Sequence, residues 1–133
     1  MGLGICLVLA AAAHATPAFV PVTHFTLAWT HSIEKQRWEE DYVVHAGKPP
    51  RLEAGAARIR GSAAGMEPPP EAQLVDGWFV YQPARWPRAP LLLTRSEFTA
   101  DFDLCAGGAC RPMGELLPSD GGITLLSPCT HPE

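Results

Sequence analysis

The stretch THSIEKQRWEEDY, residues 30–42, holds the side chains best suited to chemistry. An imidazole that meets a carboxylate can act as a general base. If residues 25–33 form a strand, period two puts Phe25, Leu27, Trp29, His31 and Ile33 on one face. In a following strand from Arg37, the face carrying Trp38, Tyr42 and Val44 also carries Glu40. A hairpin with Glu34 and Lys35 at its tip sets His31 opposite Trp38 and Trp29 opposite Glu40. His31 and Glu40 are then diagonal neighbours, ~7–8 Å apart at Cα, within reach of long side chains. The pair is a candidate catalytic dyad of a small hydrolase. It serves equally as a structural hydrogen bond, because a buried polar group needs a partner in any case. In a strand Ser32 points to the opposite face from His31, which argues against a serine–histidine dyad from those two. Arg37, Glu39 and Asp41 face outward and, with Glu34 and Lys35, form a candidate partner-docking surface.

Three further groupings have chemical potential. RIRGSAAGM places Arg58 and Arg60 on one strand face beside a small-residue run, a candidate anion site. DGWFVYQPARWP gathers Trp78, Phe79, Tyr81 and Trp86, which could stack a planar ligand or simply pack. Cys105 and Cys110 flank Ala-Gly-Gly-Ala and read as a disulfide closing a tight loop in an oxidising compartment. A rival reading joins Cys105, Cys110, Cys129 and His131 into a three-cysteine, one-histidine zinc set. The ligand types fit, but the spacing does not compel it. No phosphate-loop, dinucleotide or nucleophile-elbow pattern is present, and no cofactor is expected.

The elements that must position these residues are short strands. Fourteen prolines and twelve glycines break any long helical pattern, and runs rich in Val, Thr, Phe, Tyr and Trp recur between turns. Strands are expected over residues 25–33, 37–45, 51–60, 73–82, 91–94, 97–105 and 121–127, with a helical turn near 112–117. About seven short strands predict an all-β domain, a small antiparallel sandwich or barrel. Residues 1–15 read as a signal peptide, an apolar run followed by Ala13-His14-Ala15, although no basic residue precedes the run. The run is far short of the ~20 apolar residues of a membrane span, so no stable membrane insertion is expected after cleavage. Residues 16–133 are then a single β-rich domain, exported and periplasmic. Losing Cys6 with the leader leaves Cys129 as the odd thiol. A net charge of −4 with scattered basic residues argues against nucleic acid as a partner.

THSIEK, WEEDY, RGSAAGMEPPP and LTRSEFTADFDLCAGGACR together resemble the uncharacterised bacterial domain-of-unknown-function family numbered 1850. The resemblance covers roughly residues 25–117. It implies a small exported or membrane-anchored protein, often encoded beside transporters of the tripartite ATP-independent (TAXI) class and their solute-binding proteins. No enzymatic activity comes with it. The expectation is therefore an exported accessory or binding protein whose partner is a transporter subunit or its solute-binding protein. A structural or envelope-interaction domain is the alternative.

Overall fold

The computed structural model describes residues 2–30, 36–60 and 70–131. Among these residues the chain forms eleven strands, two single turns of 3-10 helix and no α-helix. The strands are β1 (Gly2–Leu9), β2 (Ala18–Val20), β3 (His24–Thr30), β4 (Arg37–His45), β5 (Arg51–Arg60), β6 (Gln73–Val75), β7 (Trp78–Tyr81), β8 (Leu91–Thr94), β9 (Asp103–Ala106), β10 (Ala109–Pro112) and β11 (Ile123–His131). They make two antiparallel sheets, a small one ordered β2-β1-β11-β8 and a large one ordered β10-β9-β3-β4-β5-β7-β6. The sheets face each other as a sandwich and do not close into a barrel.

Alternation builds the core. Ile5 and Leu7 of β1, Leu93 of β8 and Leu126 of β11 meet Phe25, Leu27, Tyr42, Val44, Leu52 and Leu104 of the large sheet in one apolar cluster. A bulge keeps β5 in phase with this core: Glu40 pairs with Ala57 but Tyr42 with Ala54, so Gly55 and Ala56 both stand against Asp41. Leu52 and Ala54 before the bulge, and Ala57 and Ile59 after it, are consequently all buried. A strict alternation would have turned one pair outward.

The expected strands over 37–45, 51–60 and 91–94 form as anticipated. Residues 73–82 instead fold as a hairpin, because Asp76 and Gly77 take positive φ values of 50° and 85°, as a type I′ turn requires. Gly107 and Gly108 do the same at 61° and 82° and create β10. Residues 96–99 form a turn in which the Phe98 amide donates to Ser96 Oγ, so β9 starts only at Asp103. The expected helical turn is the 3-10 turn Met113–Glu115, with Met113 fully buried.

The apolar run that resembles a leader has a structural place here. β1 lies between β2 and β11 and pairs with β11 along its whole length, Gly2 opposite His131 and Leu9 opposite Thr124. Cys6 forms a disulfide with Cys129. Gly4 is required by close approach, since a Cβ there would sit 2.3 Å from the Val20 carbonyl oxygen. Cleavage after Ala15 would remove an interior strand of the small sheet together with the partner of Cys129. The β1 pairing also explains why β11 extends past Ser127 to His131.

Arg95, just after β8, pins the connection that leads from the small sheet to the large one against β11. Its side chain is 1% exposed. It donates to both carboxylate oxygens of Asp101, at 2.9 and 2.8 Å, and to Thr124 Oγ1 of β11 at 3.1 Å. Burial works to raise the pKa of Asp101, but the Arg95 hydrogen bonds and the amides of Phe102 and Gly114 outweigh it and hold the carboxyl below its ordinary 3.8.

Two outcomes are expected. Asp101→Ala strands a buried guanidinium and costs about 3 kcal/mol in chemical denaturation. Because the folded pKa of Asp101 is depressed, its contribution is complete above the unfolded pKa and is lost as pH falls through the folded one; Asp101→Asn should remove that part of the acid limb below about pH 4. A chain starting at Thr16 should lose cooperative thermal unfolding, whereas a non-reducing digest of the native protein should contain the Cys6–Cys129 linked peptide. A native protein that begins at Thr16 and still melts cooperatively would show that the small sheet closes without β1.

Candidate functional site: the outer face of the large sheet

β3 and β4 pair with Trp29 opposite Trp38, Leu27 opposite Glu40 and Thr30 opposite Arg37. This register differs by two residues from that of a hairpin tipped by Glu34 and Lys35, so Trp38 is paired with Trp29. A shift of two preserves parity, and the two faces are as expected. The intervening His31, Glu34 and Lys35 lie outside the described residues. Glu40 is on the inner face, where its Oε1 accepts a 2.7 Å hydrogen bond from the Tyr42 hydroxyl. Burial, then the adjacent Glu40 carboxylate, push the Tyr42 phenol far above its ordinary range, so it stays a neutral donor.

On the outer face, Arg37, Glu39 and Asp41 of β4 meet Arg58 of β5. Arg58 Nε donates to Glu39 at 2.7 Å, and its two terminal nitrogens donate to Asp41 at 2.9 and 3.2 Å. The hydrogen bonds to Asp41 raise the Arg58 pKa further. Arg37 bridges Glu39 and Asp103 of β9, at 3.3 and 3.2 Å. Thr26 of β3 donates to Asp41 at 2.7 Å. A single chain of alternating charge thus crosses β9, β3, β4 and β5. It borders an open depression of about 620 Å³ lined by His24, Thr26, Asp41, Arg58 and the Cys105–Cys110 hairpin.

The geometry revises the anion site. Arg58 and Arg60 do share a face, opposite Val80 and Trp78, but two carboxylates occupy the Arg58 guanidinium. Arg60 instead lies over the Trp78 ring, 5.5 Å from its centroid. The small-residue run beside them falls within residues 61–69, outside the described residues. The aromatic grouping is dispersed too: Trp78 is on the outer face, Phe79 and Tyr81 are on the inner one by alternation, and Trp86 lies elsewhere.

Trp86 belongs to an outer-face cluster with no sequence signature of its own. The Arg51 guanidinium sits 4.0 Å from the Trp86 ring centroid, with His45 against the same ring. Glu53 accepts from Arg85 and, at 2.7 Å, from His45. These hydrogen bonds, Arg85 first, hold its carboxyl below the ordinary value. Period two places His45, Arg51 and Glu53 outward; only the return of the chain at Arg85 and Trp86 assembles them.

The zinc set does not exist in this oxidised fold. Cys105 and Cys110 are directly opposed in the β9–β10 hairpin and joined as the sequence predicts, and Cys129 is joined to Cys6, so none of the three is a thiolate. The two bridges span very different loops, with sequence separations of 123 and 5 residues. In the chain-entropy model they contribute about 5 and about 2 kcal/mol respectively. Equilibrium denaturation should therefore show Cys129→Ser to be the more damaging change and Cys110→Ser the milder one.

Residues 25–113 match the family described as Domain of unknown function (DUF1850). No curated protein and no solved structure matches the chain. The matched segment contains the large sheet, except for His24 at the start of β3, together with β8, while β1, β2 and β11 lie outside it.

Proposed function

The chain belongs to the DUF1850 family, and from that premise we propose that it is an exported accessory or binding protein that docks through the outer face of its large sheet. The proposed partner is a subunit of a tripartite ATP-independent transport system or its solute-binding protein. The observation that carries this reading is the composition and order of that face. Its centre holds the charge chain from Asp103 to Asp41, and Trp86 with Arg51 and Trp78 with Arg60 flank it. Exposed Trp and Arg are the residues most enriched where binding energy concentrates. Side chains already fixed by mutual ion pairs lose little freedom on docking, and alternating charge selects a complementary partner.

Two disulfides suit an oxidising compartment, which supports export and a periplasmic address. No helix among the described residues is long and apolar enough to cross a membrane. We place β1 in the working protein, because it pairs with β11 along its length and holds the Cys6–Cys129 bridge.

In-cell crosslinking of the tagged protein followed by mass spectrometry should recover a transporter subunit or its solute-binding protein. Arg60→Glu and Trp86→Ala, both at exposed positions, should each reduce recovery at least tenfold with an unchanged melting curve. Recovery unaffected by either change would remove the outer face from the interaction. Absence of any stoichiometric partner would favour a free-standing envelope domain.

A further inference from the structure

The large sheet has seven strands and the small one four, so the sandwich is open along β8, the edge strand of the small sheet. A crevice of about 380 Å³ lies there, lined by Trp29, Glu40, Tyr42, Leu91, Leu93 and Phe102. It is on the opposite side of the large sheet from the docking face and stands independently of that reading.

Its walls are aromatic and aliphatic. Trp29 stacks on Trp38 with ring centroids 5.7 Å apart and meets Phe102 at 5.5 Å. Among the described residues, Glu40 is the single carboxylate lining it. Of the three consecutive acids Glu39, Glu40 and Asp41, the outer two are paired with arginine. Among the described residues, Glu40 has a hydroxyl partner, Tyr42, and no basic one. A carboxylate in apolar surroundings favours a cation beside it.

The chemistry of that cation follows from the lining. A divalent metal needs several oxygen ligands, and no group of three or more metal-binding side chains occurs among the described residues. An anion would be repelled, and a neutral apolar molecule would bury the carboxylate without compensation. An organic ammonium group satisfies both features, its charge on Glu40 and its carbon substituents against Trp29 and Phe102. The volume falls in the ~300–1,000 Å³ range of small-molecule pockets.

We propose that this crevice is a binding site for a small organic ammonium ion, with Glu40 as its counter-ion and Trp29 and Phe102 as its aromatic walls.

Benzylammonium is a suitable probe and benzyl alcohol its neutral counterpart, both titrated into the full-length, disulfide-bonded protein by calorimetry and tryptophan fluorescence. Saturable benzylammonium binding is expected, at least tenfold tighter than benzyl alcohol, and at least tenfold weaker in Glu40→Gln. The comparison of the two probes uses the unaltered protein, so it stands even if Glu40→Gln fails to fold. Equal binding of the two probes, no saturable binding, or a folded Glu40→Gln protein that binds benzylammonium as tightly would each overturn the assignment.

Discussion

The Arg95 guanidinium is the constraint on which the rest of the architecture depends. It is buried where the chain leaves the edge of the small sheet and has not yet joined the large one. It bonds forward to Asp101, six residues on, and across to Thr124 of β11. A guanidinium cannot shed its proton to escape burial, so its carboxylate and hydroxyl partners must be in place whenever the sheets are closed. That requirement fixes the path of residues 95–101, delivers β9 to the edge of β3, and seats β11 alongside β8.

Given that closure, β4 does most of the sorting. Its run Trp38-Glu39-Glu40-Asp41-Tyr42 alternates across the sheet, so adjacent acids enter different environments. Glu39 and Asp41 emerge onto a face where Arg37 and Arg58 neutralise them in partial exposure. Each such pair contributes little to stability, roughly 0.2–1 kcal/mol, and their value is in ordering a surface. Glu40 enters an aromatic crevice with a tyrosine hydroxyl. The bulge opposite Asp41 lets β5 follow this arrangement without exposing its own apolar residues.

The molecule therefore has two sides with different chemistry. The outer side is polar and rimmed by Trp–Arg contacts, a composition suited to a protein partner. The inner side is apolar and ends at an open edge because the sheets differ in width. One strand with period-two alternation supplies the central residues of both.

Much was legible in sequence because strand periodicity is local. Composition and turn residues determined the all-β class, and alternation determined that Arg37, Glu39 and Asp41 face away from Trp38, Glu40 and Tyr42. The spacing of Cys105 and Cys110 pointed to a bridge closing a tight loop, since the two thiols are only five residues apart; the pairing of Cys129 with Cys6 then removed the rival zinc set. The Asp76-Gly77 and Gly107-Gly108 turns are local signals as well.

What only the tertiary structure decided involves residues far apart in the chain. The β3–β4 register depends on the loop between them and on the stacking of Trp29 with Trp38. Arg58 was legible as an outward arginine, yet its capture by two carboxylates required β4 beside it. Residues 2–9 are apolar enough to read as an address; pairing with β11, more than a hundred residues later, makes them a core strand and gives Cys129 its partner. Hydrophobicity is a property of the segment, but what covers it is a property of the whole chain.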